Sequence, residues 1–403
     1  MKYTPEEIIT YCEEDDVKFI RLAFCDVFGK LKNISIMPGE LQKAFTHGIA
    51  FDGSAITGFG MDLFSDLILH PDPDTLSALP WRPENGRVVR MFCKITYPDG
   101  TPFECDTRGL LMKAISDAKA AGLDFAFGSE QEFYLFTLDD EGEPTKKTVD
   151  TAGYMDVAPD DKGENVRRGI CLTLEKMGII PESSHHEEGP GQNEIAFRYS
   201  NALTSADNSI SFKSVVKTVA RSNGLSADFS PKPVENQPGN GFHINMSVKA
   251  ENDPDCFNHM LAGVLNRIED ITLFLNASWN SYERLGKLKA PGYISWSRQN
   301  RSELIRIPAA KATFERIELR NADSSANPYL AYALLIYAAM EGIENKMSLP
   351  EPADFNIYTA TKEQLAKLKP LPKDLIAACA LAKKSEFVKE HVPATILDIY
   401  CNI

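Results

Sequence analysis

The stretch Gly128-Ser129-Glu130-Gln131-Glu132-Phe133 places two carboxylates inside Phe125–Phe136, a run dense in Phe, Tyr and Leu. That run predicts a buried strand. Strand side chains alternate faces, so Glu130 and Glu132 point one way while Phe127, Phe133 and Leu135 point the other. Carboxylates about 7 Å apart on an apolar strand repel each other and lose hydration. A cation, an arginine or a shared proton offsets that cost. Taken alone, the stretch fits a strand end with solvated acids equally well.

Similar residue types recur later in the chain. Ser183–Glu194 combines His185 and His186 with Glu187, Glu188 and Glu194 among glycines. A polar surface loop has this composition too, but such an oxygen-rich group suits Mg²⁺ or Mn²⁺ better than zinc. In Lys232–Ser247, Gly239 and Gly241 let backbone approach a ligand, and His243, Asn245 and Ser247 alternate onto one strand face. Arg298, Arg301, Arg306, Arg316 and Arg320 alternate with Ile305, Ile307, Ile317 and Leu319, with Glu318 among them. Guanidinium groups in that setting suit phosphate and carboxylate, or a salt-bridged strand pair. No G-x-x-x-x-G-K-[ST] and no strand-linked G-x-G-x-x-G occurs, so spacing alone marks no nucleotide site.

The elements that must hold these groups fall into two parts. Residues 1–103 alternate short strands and turns, with a helix capped by Thr4 and opened by Pro5 and a hairpin of Val17–Phe24 with Leu31–Met37. Pro98–Pro102 is a turn cluster and the expected boundary. Residues 104–403 read as longer helices and strands: helices over Arg108–Ala121, Lys162–Met177, Ile210–Asn223, Pro254–Asn276 and Asn327–Glu344, and a strand running into Pro181. The fold class is α+β. The 403 residues are 43% hydrophobic and 25% charged with net charge −14, which excludes a mostly disordered chain and disfavours nucleic-acid or anionic-membrane binding. The eight cysteines show no C-x-x-C spacing and the start carries no signal peptide, so they read as free thiols of a cytoplasmic protein. The longest apolar stretch, Tyr329–Met340, is too short to span a bilayer.

These residues together resemble the glutamine synthetase family, in its bacterial type I form. The likeness runs through Phe51-Asp52-Gly53-Ser54, Gly128–Phe133, His185–Glu194, Lys232–Ser247, Asn300–Pro308, Arg316–Arg320 and Ala326–Leu330. The resemblance implies an N-terminal β-grasp domain, a C-terminal catalytic domain whose antiparallel sheet is surrounded by helices, and active sites between subunits of a six-membered ring. It further implies that Glu132, Glu187 and Glu194 hold one Mg²⁺ or Mn²⁺, and that Glu130, His243 and Glu318 hold a second. Arg301, Arg306 and Arg316 would contact ATP phosphates, and Arg284 and Arg320 substrate carboxylates. Glu182, Asn245 and Ser247 fall at the ribose and base. Gly239 and His243 belong with the glutamate site. Asp52 of the next subunit, with Tyr154 and Glu187, falls where ammonium binds.

The sequence also departs from that family. Where its flap carries a glutamate, this chain has the shorter Gly286-Lys287-Leu288-Lys289. The Asn-Gly before the signature histidine region is Pro238-Gly239, and the second serine of the Asp52 loop is Ala55. The chain ends at Ile403 without the family's ring-tying extension, which favours a hexamer over a stacked dodecamer. Three readings follow: glutamate–ammonia ligation with a remodelled flap, ligation of glutamate to another amine, or a catalytically weak regulatory homologue. Tyr358 matches a tyrosine that some members adenylylate, and its flanking residues favour a structural role.

Overall fold

Thr4 caps the first helix, α1 (Pro5–Glu14), in the reciprocal arrangement its sequence calls for. Its hydroxyl accepts from Glu7 N at 3.2 Å, while the Glu7 carboxylate accepts from Thr4 N at 2.7 Å. The structure, a computed structural model, describes residues 3–60, 65–82, 86–250, 253–309 and 315–402. Ile403 lies outside them.

The N-terminal sheet is built from β1 (Val17–Cys25), β2 (Leu31–Ile36), β3 (Ile49–Asp52), β4 (Asp66–Pro71), β5 (Ser77–Ala78) and β6 (Arg87–Thr96), with α2 (Leu41–His47) between β2 and β3. Its order is β2-β1-β6-β4-β3, with β5 on β6, and β1 runs parallel to β6. The hairpin of β1 and β2 is the one the sequence predicts.

The larger part follows as α3 (Thr107–Ala120), β7 (Leu123–Leu138), β8 (Pro144–Thr148), α4 (Glu164–Lys176), β9 (Pro181–His186), β10 (Gln192–Asn201), α5 (Ala202–Ser222), β11 (Leu225–Asp228) and β12 (Phe242–Ala250). Then come α6 (Cys256–Leu275), α7 (Ser281–Arg284), β13 (Tyr293–Ile294), β14 (Trp296–Arg298), β15 (Ile305–Ile307), β16 (Ile317–Leu319) and α8 (Pro328–Glu344), with short helices reaching Tyr400. The sheet order is β14-β15-β16-β12-β7-β10-β9, and β8 and β11 pair with the far end of β7. It is antiparallel except for β14 with β15. Sixteen-residue β7 forms its spine, with Phe127, Phe133 and Leu135 fully buried on the face away from Glu130 and Glu132.

Two sequence expectations are corrected. The strand predicted to end at Pro181 begins there, as edge strand β9, where a missing N–H costs no ladder bond. Helix α5 starts at Ala202 rather than Ile210, because Asn201 caps it by accepting from Thr204 N at 3.0 Å. Its first turns hide polar residues that interrupt the apolar rhythm: Ser209 Oγ donates to Ser205 O at 2.9 Å, and Asp207 is buried in an ion pair.

Helices α6 and α8 cross backbone to backbone at Gly263 and Gly342, where a Cβ on either glycine would strike the other helix. One apolar cluster runs from Ile8 and Leu22 of the N-terminal part to Tyr329 and Tyr400. Polar ties reinforce the join: Asn327 Nδ2 and Tyr400 Oη both donate to Val27 O, at 3.0 and 2.9 Å. Arg108, 3% exposed at its side chain, meets Asp207 twice and Asp72 once, at 2.9–3.0 Å. Asp207→Asn leaves that guanidinium short of a buried partner and is expected to destabilise the protein by about 3 kcal/mol. Denaturant unfolding measures it, and a change under about 0.5 kcal/mol sinks the claim.

No described helix is long and apolar enough to cross a membrane.

Candidate active site

Strand register, more than sequence proximity, assembles the site. Glu132 stands opposite Glu194 across β7 and β10, and Glu194 opposite His185 across β10 and β9. Glu130 stands opposite His243 on β12, Asn245 opposite Glu318 on β16, and Glu318 opposite Arg306 on β15. Directly opposed side chains lie about 5 Å apart, and like charges there destabilise a sheet. The Glu132–Glu194 pair is therefore a cost that a cation would remove.

Distances bear out the convergence. His243 lies 3.5 Å from Glu130, 3.7 Å from Glu132 and 3.8 Å from Glu318. His185 lies 3.4 Å from Glu194 and 3.7 Å from Glu187. Glu132 is oriented by Gly241 N at 2.8 Å and Gln192 Nε2 at 3.1 Å, both donating to Oε2. A Cβ on Gly241 would meet His243 Nε2 at 2.8 Å and Arg284 Nη2 at 3.0 Å, so any larger residue there would push site side chains aside.

The charges are poorly balanced without a metal. Burial, with the charges of Glu132 and Glu194, pushes the Glu187 carboxyl up to about 8. Burial also raises Glu194, against the His185 hydrogen bond. That bond lifts His185 to about 9. Burial works to raise Glu130 too, but the His243 hydrogen bond and charge, with Asn245 and Arg306, hold it at about 2. Ligand atoms of Glu130, Glu194 and His243 lie within 4.8 Å of one another, as do those of His185, Glu187 and Glu194. A carboxylate-rich set with an imidazole fits a hard divalent cation.

Around this cluster is a cavity of about 560 Å³, also lined by Tyr154, Glu182, Gly239, Arg284, Arg301, Arg306, Arg316 and Arg320. Fully buried Glu318 sits beneath it, paired with Arg306 and, at 2.7 Å, with Arg320. Arg301 faces the cavity and, among the described residues, forms no hydrogen bond or ion pair. Tyr154 packs edge-on to His185 at 5.5 Å between ring centres.

Four sequence candidates have further surroundings. Asn245 is engaged inside the sheet, donating to Glu130 at 2.9 Å and accepting from Arg316 Nε at 3.1 Å. Ser247 is buried on β12 outside the cavity lining. Arg284 donates to Asn321 O and Arg320 O at 2.7 and 3.2 Å, so it braces the strand end that carries Arg320. Asp52 is exposed at the edge of the N-terminal sheet, away from this cavity, where it accepts from Ser54 N at 2.9 Å.

The sequence places His185 in a metal-suited cluster without a role of its own and gives Gln192 none, yet their side chains order the acids. His185 stands two positions before Glu187, which lies just past the end of β9, and Gln192 two before Glu194 on β10, and that spacing was the available signal. In the flap region Leu288 and Lys289 have left-handed backbones (φ 41° and 74°), and Lys289 crosses the cavity mouth to pair with Glu188 at 2.9 Å. Tyr134 Oη donates to Pro238 O at 2.7 Å and holds the Pro238-Gly239 turn in place.

Residues 104–403 match the glutamine synthetase catalytic domain, and residues 16–98 the glutamine synthetase beta-Grasp domain. The chain belongs to the glutamine synthetase family. It is 44% identical over 404 residues to the glutamine synthetase of Clostridium saccharobutylicum, covering 96% of this chain and 91% of that protein. It is 41% identical over 416 residues to that of Staphylococcus aureus strain Mu50, covering 99% and 93%. Among solved structures, a GmaS/ADP complex superposes with a TM-score of 0.87 at 26% identity, covering 98% of this chain and 94% of that one. A Plasmodium falciparum glutamine synthetase solved by cryo-EM shares the fold, with a TM-score of 0.85 at 22% identity over 100% of this chain and 96% of that one. Members of the family are ATP-dependent, use divalent metals and form oligomers.

Proposed function

We propose that this protein is a glutamate–ammonia ligase, forming glutamine from glutamate, ammonia and ATP through γ-glutamyl phosphate. One observation carries the reading: a carboxylate–imidazole cluster and five cavity-lining arginines share one cleft.

A carboxylate resists an amine because its leaving group would be oxide, so it must first be activated. In the first step a γ-carboxylate oxygen of glutamate attacks the γ-phosphorus of ATP, and ADP leaves. Arg301, Arg306 and Arg316 hold the polyphosphate and spread the negative charge that accumulates in transfer. Arg320, braced by Arg284, holds the glutamate carboxylate beside the Gly239 turn. Glu182 borders the nucleotide, with Asn245 and Ser247 in the strand behind it. In the second step Tyr154, Glu187 and Asp52 of a neighbouring copy attract ammonium, and a carboxylate takes its proton. Ammonia then attacks the acyl carbon and phosphate leaves. Glu130, His243 and Glu318, and Glu132, Glu187 and Glu194, would hold two divalent cations, Mg²⁺ or Mn²⁺, whose chemistry is charge neutralisation at the phosphoryl oxygens. Asp52, exposed and remote from its own cleft, supports a ring of copies, hexameric or stacked into a dodecamer. The GmaS/ADP complex, which shares the fold, supports nucleotide binding.

A second reading rests on the Lys289–Glu188 pair, a cation in the shortened flap region from which the family's glutamate is absent. It makes the protein a ligase of glutamate and another amine. Phosphate release from ATP and glutamate, with Mg²⁺ or Mn²⁺, is measured with ammonium and with a panel of primary amines. Release that depends on ammonium supports the first reading. Release restricted to another amine transfers the assignment to the second, and nucleotide binding without turnover would leave only a regulatory homologue.

A further inference from the structure

Glu303 follows Arg301 by two positions and lies at the start of the segment leading into β15. Its side chain is fully buried. Oε1 accepts from Asn300 Nδ2 at 2.9 Å, and the single Ser302 hydroxyl proton goes either to Asn300 Oδ1 at 3.0 Å or to Oε1 at 3.3 Å. Oε2 is buried without a hydrogen-bond partner. The residues that Glu303 holds also reach across to another segment. Asn300 Nδ2 donates to Phe355 O at 2.9 Å, and Ser302 Oγ accepts from Ile357 N at 3.0 Å. Asn300 Oδ1 closes the loop by accepting from Ser302 N at 3.1 Å. Residues 300–303 are thereby knitted to 355–357, and only Arg301 is left to project into the cavity.

We propose that Glu303 is a positioning residue for Arg301, clasping the 300–303 loop onto the 355–357 segment and so fixing where the guanidinium enters the cleft. The clasp suits a neutral acid. An ionised carboxylate with one bare oxygen in a dry site is costly. Burial pushes Glu303 up to about 7, the Ser295 and Ser302 hydroxyls opposing the shift and Asp354 adding to it. The ionisable groups facing it are Asp354, which accepts from Ser297 Oγ at 2.6 Å, and Tyr358 on the docked segment. Neither supplies a cation paired to Glu303. Because the folded value lies above that of an exposed carboxyl, the stability Glu303 contributes to the clasp is complete at low pH and is lost as pH rises through about 7.

This inference rests on the reading of Arg301 as a phosphate-binding cation. Its test is kcat/KM for ATP between pH 6 and 8.5 in the parent, Glu303→Gln, Glu303→Ala, Arg301→Ala and the Glu303→Ala/Arg301→Ala double variant. Glu303→Gln keeps the acceptor but cannot ionise. It is expected to match the parent within about twofold at pH 6 and to exceed it about threefold or more at pH 8.5. Glu303→Ala is expected to fall about tenfold below Glu303→Gln at every pH through misplacement of Arg301, and to lose nothing further once Arg301 is gone. Common titrations of ATP and ammonium cancel in the ratios. Parallel profiles for the parent and Glu303→Gln overturn the clasp while leaving the role of Arg301 standing, as does full additivity in the double variant. Undiminished turnover in Arg301→Ala overturns the role of Arg301, and the proposal with it.

Discussion

Arg301→Ala is expected to lower kcat/KM for ATP by about a thousandfold, the order attached to a cation that stabilises transferring phosphoryl charge. The melting temperature should stay within about one degree of the parent, as for an exposed side chain without internal partners. What makes this variant informative is what Arg301 lacks: among the described residues it bonds to nothing in the protein. Arg320 and Arg306 cannot be tested so cleanly. Both neutralise Glu318, which is fully buried, so truncating either strands a buried anion. A loss of activity there would mix chemistry with stability. Steady-state phosphate release and a thermal melt on the same preparation measure both quantities for Arg301→Ala. A loss below about tenfold rejects its placement among the phosphate ligands.

The second large effect is a pH-dependent exchange between protons and metal. Without metal, Glu187 sits at about 8 through burial and its acidic neighbours, and His185 at about 9 through its bond to Glu194. Glu194 and His243 are raised as well, Glu194 mainly by burial, and His243 by Glu130 and nearby acids against the effects of burial and Arg320. All four bind protons more tightly folded than unfolded. The stability they contribute is complete below their unfolded values and is lost as pH rises through the folded ones. Chelator-treated protein should therefore melt several degrees lower at pH 9 than at pH 6. Divalent cations reverse the trend, because the ligating carboxylates and imidazole must be deprotonated. Calorimetry in buffers of different ionisation enthalpy should show protons released on Mn²⁺ binding at pH 6.5 and fewer at pH 9. A metal affinity that is flat with pH over this range would contradict the cluster's role.

The opening helix, the first hairpin and the two-faced character of β7 are legible in the amino-acid sequence, because each depends on neighbours in the chain. Thr4 with Glu7 makes a cap, and alternation alone puts Glu130 and Glu132 opposite the Phe127 and Phe133 face. Local order also fixes which residue types lie together on β12. It could not reveal which strand lies beside which, nor in what register, and register is what sets Glu132 against Glu194 and Glu130 against His243. A shift of one residue would have turned every one of these side chains to the other face. The same limit explains the start of α5: its buried Asp207 and Ser209 look like surface residues until Arg108 and the helix carbonyls satisfy them.

Tertiary structure alone decided how the polar candidates are used. Asn245 is held between Glu130 and Arg316, Arg284 is spent on backbone carbonyls, and Asp52 is turned away from its own cleft. Lys289 and Glu188 are about a hundred positions apart, yet they meet across the cavity mouth. Residue types are written locally and reveal a capacity for metal and phosphate chemistry. Which donors remain free to exercise it depends on which buried groups needed them first, and a buried polar atom takes the partner the fold brings within reach.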